Sequence, residues 1–450
     1  MGTKKLETEP YNLMTSDEKM LYDVIILGGG LMGSAAAWHL SNLGENVLLI
    51  EQQGQNYHKG SSKGMARITR SSNIEDNALW SILNDRSVRE VQNMIRYLNR
   101  KGVKMTIEDI YTTTPISYIA RQEELNRLVR NLERQDVHFE IATTPEEGKA
   151  KFGVKLKEGT FLQREYKTNS GTFSPQKLIQ ALHQAITLQG GKIMYQTEAI
   201  GIEREGDHYK VAARKTKQRP QALFARQLIS AAGAYTGTLL RHRAPYFQSL
   251  IRPKRVFLAF FELRDGHWQH LNPEQKAQLK NGFPLIDRSP HDQAEEFFAM
   301  IENYDAKGNP TIKTGGHFQR SSVKDPDDIW GQKLSQEEIY WSKAKLVEYL
   351  KVLNLPIEAM HIKLVDQYSC IYSLTDNEVP YVTQIYDENL HKEKNFVVIA
   401  GLSGVGAKGA MAYGLIAANL LLGQRDADTL SQDVIAQLGY DRMLKERSKT

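Results

Sequence analysis

The sequence predicts a mixed α/β fold: a parallel-sheet domain assembled from separated stretches of chain, with a second, antiparallel-sheet domain inserted into it. Three observations predict this. Near the start, a short apolar run leads straight into a glycine-rich turn and an Ala-rich helix pattern. Similar buried-strand patterns recur in the middle of the chain and near its end. The stretches between them carry further strand and helix patterns, which are read as the insert.

Residues 22–27 (YDVIIL) are apolar and β-branched, the pattern of a buried parallel strand. A helix follows at 34–43, then a second buried strand at 46–50 (NVLLI) ending at Glu51. Helical spacing marks 87–100 and 122–135. Residues 173–188 form an amphipathic helix with Ser174 as N-cap and Pro175 at the first helical position. Strands are expected at 192–195 and 210–213, flanking 198–207, and again at 227–231, ahead of Ala232-Gly233-Ala234. Residues 255–263 read as a strand. Residues 395–400 (NFVVIA) are a last buried strand, and 401–409 lead into a helix that runs to about Leu422.

These patterns divide the chain into an arm (1–20), a dinucleotide-binding domain (21–100, 165–245 and 366–450) and a substrate domain (101–164 and 246–365). The 450 residues allow two domains or one large discontinuous one. The composition, 41% apolar and 25% charged, is that of an ordinary soluble protein. No apolar run approaches the ~20 residues that span a bilayer, so no membrane partner is expected. Residues 1–20 are polar and lack the apolar region of a secretory signal. With a single cysteine, Cys370, the chain can form neither an internal disulfide nor a Cys-based zinc site. A cytoplasmic location and no metal are therefore expected. The net charge of +5 says little about partners, and the basic runs at 214–219 and 252–255 lack interleaved aromatics, so no nucleic acid is expected.

Gly28, Gly30 and Gly33 spell G-x-G-x-x-G, with Leu31 and Met32 between the last two. The first two glycines permit a tight turn and close approach to a pyrophosphate; the third lets the helix sit against the strand. The helix N-terminus offers N–H groups to phosphates. Glu51 lies 21 residues beyond Gly30, where an acid accepts ribose hydroxyls. Together these make a Rossmann-like dinucleotide site. Residues 404–409 (GVGAKG) spell the same motif, but no further strand ending in an acid follows. The polar, helical-looking 423–450 comes instead. A second nucleotide site is thus disfavoured; this helix start, with Gly404 and Gly406, is expected to face the bound cofactor and stabilise negative charge there.

Five motifs now resemble those of the amine-oxidising flavoproteins of the D-amino-acid-oxidase superfamily, nearest the monomeric sarcosine oxidase and N-methyltryptophan oxidase branch, from about Tyr22 to about Leu422. They are Gly28–Gly33 with Glu51; 60–70 (GSSKGMARITR), which includes Ser61; 312–317 (IKTGGH); Cys370-Ile-Tyr372; and 401–408 (GLSGVGAK). The resemblance implies FAD as cofactor, attached through a thioether to Cys370. It implies Arg67 beside the flavin ring, and Arg70 with Lys408 holding a substrate carboxylate. Lys313 would activate oxygen, His317 would act in the active site, and Tyr372 would line the substrate cavity. An Arg and a Lys converging on one cavity suit a carboxylate, and a fixed positive charge favours a developing oxygen anion.

The chain departs from that branch at Ser62, Lys63 and Met65, at Ala407, which is expected to enlarge the cavity, and in the longer 297–310 segment. The expected activity is oxidation of a small secondary amine or amino acid by a monomer, with oxygen giving hydrogen peroxide. Its rivals are a dehydrogenase using another acceptor, a flavin domain acting on a modified tRNA nucleotide, and a flavin binder without catalysis.

Overall fold

A computed structural model describes residues 20–56, 59–71, 78–166, 170–264, 266–387, 389, 391–423 and 432–447. Apart from Met20, the expected N-terminal arm lies outside the described residues. So does part of 423–450, whose described portion forms two helices, Gln432–Leu438 and Tyr440–Arg447.

The first sheet has eight strands. Leu21–Leu27 lies at its centre, parallel to Val47–Ile50 on one side and to Gln221–Ser230 on the other. Lys192–Met194 extends one edge, while Lys392–Ala400 runs parallel to Gln221–Ser230. Alternate strand residues point to opposite faces. Val24, Ile26, Val47, Leu49, Ile229 and Val397 pack under the helices Leu31–Asn42, Pro175–Leu188 and Ala410–Leu422. Ile25, Leu48, Leu228 and Phe396 pack on the other side with Tyr209 and Phe247. Burial on both faces is why these strands read as continuous apolar runs. The Ala richness of the first helix has a packing cause. A Cβ on Gly414 would sit 2.6 Å from the Ala35 carbonyl carbon, so the first and last of these helices touch at backbone distance.

The second sheet has nine strands. Arg252–Leu263 pairs antiparallel with both Pro310–Gly316 and Ile362–Leu374. Phe297–Tyr304 and Leu285–Asp287 continue the sheet. Pairing is antiparallel except where Leu285–Asp287 meets Ile116–Ala120. Phe257, Ala259 and Phe261 pack on one face with the helix Gln336–Val352; Val256, Leu258 and Phe260 face the other way, beside Tyr368 and Cys370. Cys370 therefore stands on a strand of the second sheet, and the boundary expected at 366 falls inside that strand.

Other expectations shift locally. The helix expected at 87–100 begins at Leu79, because Leu79, Trp80 and Leu83 bury on its core side. The one expected at 34–43 begins at Leu31. Most of 198–207, flanked by the expected strands, is itself strand: Thr197–Glu205 and His208–Lys215 pair as a hairpin that turns at Gly206. Among the described residues no helix is long and apolar enough to cross a membrane.

Two buried histidines brace the first helix, one of them behind the glycine-rich turn. Ser34 Oγ donates to the Gly29 carbonyl at 2.8 Å and lies 2.8 Å from His183 Nε2, so the ring donates there and accepts the Tyr195 hydroxyl at Nδ1. His39 Nε2 donates to the Met411 carbonyl at 3.1 Å. Burial lowers both rings to about 4. The unfolded chain takes up these protons near pH 6.5 and the folded chain only near 4. Their contribution to stability is thus complete above 6.5 and is lost as pH falls towards 4, on the order of 3 kcal/mol each. Thermal melts should show Tm dropping from pH 6.5 to 4, and His183→Gln should reduce that slope by about one proton. An unchanged slope in the variant would remove His183 from this account.

Candidate active site

The parallel strands end at one edge of the first sheet, and a cleft of about 480 Å³ opens there against the second sheet. Leu27, Ile50, Ala231 and Gly401 mark the strand ends that line it. Gly28 has φ +104°, and a Cβ there would lie 2.5 Å from the Ala231 carbonyl oxygen. A Cβ on Gly33 would fall 1.8 Å from the Gly28 carbonyl oxygen. Only glycine fits either position. The first helix has no side-chain cap, and the Leu31 N–H donates to Ser62 Oγ at 3.2 Å. The Glu51 carboxylate accepts the Gly29 N–H at 2.8 Å and the Gln53 N–H at 2.7 Å, which fixes the turn as well as placing the acid at the cleft.

At the other end of the cleft stand Cys370, Arg67 and Lys313. Arg67 is tied down by its own loop: its guanidinium donates to the carbonyls of Ala66, Ser61 and Lys63 at 2.8, 3.0 and 2.5 Å. Lys313 is 1% exposed, and its ammonium donates to Glu302 Oε2 at 2.5 Å and to the Ala66 carbonyl. Glu302 also accepts the Met65 and Ala66 N–H groups at 2.5 and 3.1 Å. One buried carboxylate thus joins the lysine to the loop that carries Arg67. Burial, and next the positive charge of Arg67, lower Lys313 to about 8. Both cations act on the Cys370 sulfur, which is buried.

Gly28, Gly30, Leu31, Met32, Glu51, Ser61, Arg67, Lys313, Cys370, Tyr372, Gly404 and Gly406 all line the cleft. Gly33, Arg70, His317 and Lys408 stand behind or beside it. The strand Arg67–Thr69 packs on the turn Gly406–Gly409, so the segments bearing Arg70 and Lys408 are neighbours. The Arg70 guanidinium lies 5.7 Å over the Tyr118 ring, and the buried Lys408 ammonium 5.6 Å over Trp80. His317 Nδ1 is 3.1 Å from Glu296 Oε2, which also pairs with Arg288 at 2.8 Å. Burial, reinforced by Arg320 and Arg288, lowers His317 to about 3, so its ring is neutral at physiological pH. Gly404 packs on the Tyr372 ring, where a Cβ would lie 2.5 Å from a ring carbon. Ser403, held at φ 46°, is anchored by the Thr375 N–H and by its bond to the Gly401 carbonyl.

Sequence reasoning missed Glu302 and Arg320. Glu302 lies in the 297–310 segment that departs from the resemblance. Met300 pairs opposite Lys313, and the register shifts between Ile301 and Asn303, which carries Glu302 to the lysine. No local pattern marks such a pair.

The cleft suits an extended dinucleotide. It is lined by Glu198 and Arg214 on strands of the first sheet, by the side-chain-free turn at Gly28 and the helix N-terminus, and by apolar Val256, Leu258 and Met300 with Lys313 on strands of the second.

Comparison with known proteins gives the same answer. The family described as FAD dependent oxidoreductase matches residues 23–420. A monomeric sarcosine oxidase of Streptomyces avermitilis is 29% identical over 276 residues, 59% of this chain and 67% of that one. A probable sarcosine oxidase of Arabidopsis thaliana is 24% identical over 414 residues, 89% and 88% of the two chains. In fold, the chain is similar to NikD, an unusual amino acid oxidase essential for nikkomycin biosynthesis, with TM-score 0.70 at 15% identity over 93% of this chain and 97% of that one.

Proposed function

We propose, on the premise that this chain belongs to the FAD dependent oxidoreductase family, that it oxidises a secondary amine or N-methyl amino acid carrying a carboxylate. Oxygen is the acceptor and hydrogen peroxide the product. The observation that carries this reading is the convergence of Cys370, Arg67 and Lys313 on the same cleft that the glycine turn and Glu51 line. The sarcosine oxidases of Streptomyces avermitilis and Arabidopsis thaliana support the choice of substrate class.

FAD, when bound, would supply the acceptor for a hydride equivalent, two electrons carried with one proton, from the C–H beside the amine nitrogen. The turn at Gly28–Gly33 and the helix N-terminus would hold its pyrophosphate and Glu51 its ribose, and Cys370 would be the residue that carries it covalently. Arg67 and Lys313 place fixed positive charge beside the ring. Arg70 and Lys408 hold the substrate carboxylate. Tyr372 walls the cavity. His317, neutral at working pH, orients the substrate rather than removing a proton, so the amine binds unprotonated. The imine product hydrolyses in water. The protein works as a monomer on a small molecule in the cytoplasm.

Arg70→Leu should raise KM for a carboxylate-bearing amine about 10- to 100-fold, the worth of a charge-assisted hydrogen bond. An unchanged KM would place the carboxylate elsewhere.

One observation favours a second reading, in which the electrons pass to a carrier: Glu302 offsets the charge of Lys313. Aerobic turnover of N-methyl amino acids separates the two. The oxidase releases one peroxide per amine consumed. A carrier-linked dehydrogenase leaves the flavin reduced in air and turns over only with an added dye. No amine consumption under either condition would refute both readings.

A further inference from the structure

Arg320 stands in the turn between the strands Pro310–Gly316 and Ser321–Ser322. Its guanidinium lies 5.3 Å over the ring of Tyr372, a wall of the cleft. Its Nε is buried without a hydrogen-bond partner. Among the described residues, no carboxylate comes within ion-pair distance of the group. Glu296 and Glu378 act on it only from farther away, and Glu296 is already engaged by Arg288 at 2.8 Å. Arg320 also acts on His317, so the two stand together next to Tyr372, beside the lining of the cleft.

A partly buried guanidinium whose Nε donor is unmet is costly. Such a cation is normally paired. Its planar fork fits a carboxylate or a similar planar anion. The α-carboxylate, on the reading above, belongs to Arg70 and Lys408, which sit on a different part of the chain. A further cation on the Tyr372 wall therefore calls for a further acidic group.

We propose that Arg320 receives a second acidic group of the substrate, so that the enzyme prefers N-substituted amino acids bearing two carboxylates over those bearing one. This rests on the amine-oxidase reading for the substrate, but its test does not depend on turnover. The probes are thioether analogues, in which sulfur replaces the amine nitrogen: (methylthio)acetate, with one carboxylate, against thiodiacetate and (methylthio)succinate, each with two. Each is titrated into the flavin-loaded enzyme and followed by the change in visible absorbance.

At least one dicarboxylate should bind ten- to a hundredfold tighter than the monocarboxylate, and Arg320→Met should bring the two to the same affinity. Arg320→Lys, which keeps the charge but not the fork, should recover part of the gap. Equal affinities in the wild-type enzyme would overturn the proposal even if no variant folds, and so would a gap that survives in Arg320→Met. Failure of every amine to reduce the flavin, with the dicarboxylate preference intact, would instead count against the amine-oxidase reading alone.

Discussion

Lys313→Met should slow the reaction of the reduced enzyme with oxygen by about 10²- to 10³-fold, the loss seen when one preorganised electrostatic group is removed from a site. Flavin reduction by the amine should change by less than about tenfold. The reason is the lysine's position. It is 1% exposed, held by Glu302 and the Ala66 carbonyl, and set beside Arg67 at the Cys370 end of the cleft. A fixed charge in so dry a place acts most strongly on the step in which negative charge appears on oxygen. The pH dependence follows with a definite sign. Burial, and then Arg67, lower Lys313 to about 8, so the ammonium is present below that pH and lost above it. The oxygen reaction of the wild-type enzyme should therefore fall as pH rises through about 8, and Lys313→Met should lack that fall. Stopped-flow measurement of the two half-reactions checks both points. Equal slowing of reduction and reoxidation would refute the oxygen role.

Cys370→Ser should convert flavin that stays with acid-precipitated protein into flavin that is released to the supernatant. Cys370 stands on the strand Ile362–Leu374, on the same face as Tyr368 and Tyr372, with its thiol turned to the cleft. Arg67 and Lys313 place their positive charge close to its sulfur. The absorbance of pellet and supernatant after precipitation decides the matter. Release of the wild-type flavin under the same treatment would mean that no thioether forms. Cys370 would then be a small buried side chain in the wall.

The parallel core was legible because its signals are local. The run at 22–27, the glycines at 28, 30 and 33, and Glu51 are contiguous, and both the positive φ of Gly28 and the contact behind Gly33 demand the residue that is there. The start of the helix Leu79–Arg100 was not legible. Its first turns bury Ser81 and Asn84 beside the apolar residues, which blurs the helical pattern. Those polar groups find partners 10 and 15 residues earlier in the chain: Ser81 Oγ donates to the Ser71 carbonyl, and Asn84 Oδ1 accepts from Thr69 Oγ1. Glu302 and Arg320 were hidden for a similar reason. One becomes a partner of Lys313 only through strand register, and the other meets Tyr372 only when the chain folds back across the second sheet. The residues of the site that could be named in advance came from family motifs. Glu302 and Arg320 had to come from geometry.

The central claim is that this cleft oxidises an amine carrying a carboxylate. Its most direct test is anaerobic titration of the flavin-loaded enzyme with sarcosine, N-methyl amino acids including N-methylaspartate, proline, pipecolate and glycated amino acids, followed by the loss of flavin absorbance. Bleaching by at least one of these amines, and none by the corresponding acids without nitrogen, is the predicted result. A flavin that stays oxidised with every amine would contradict the claim.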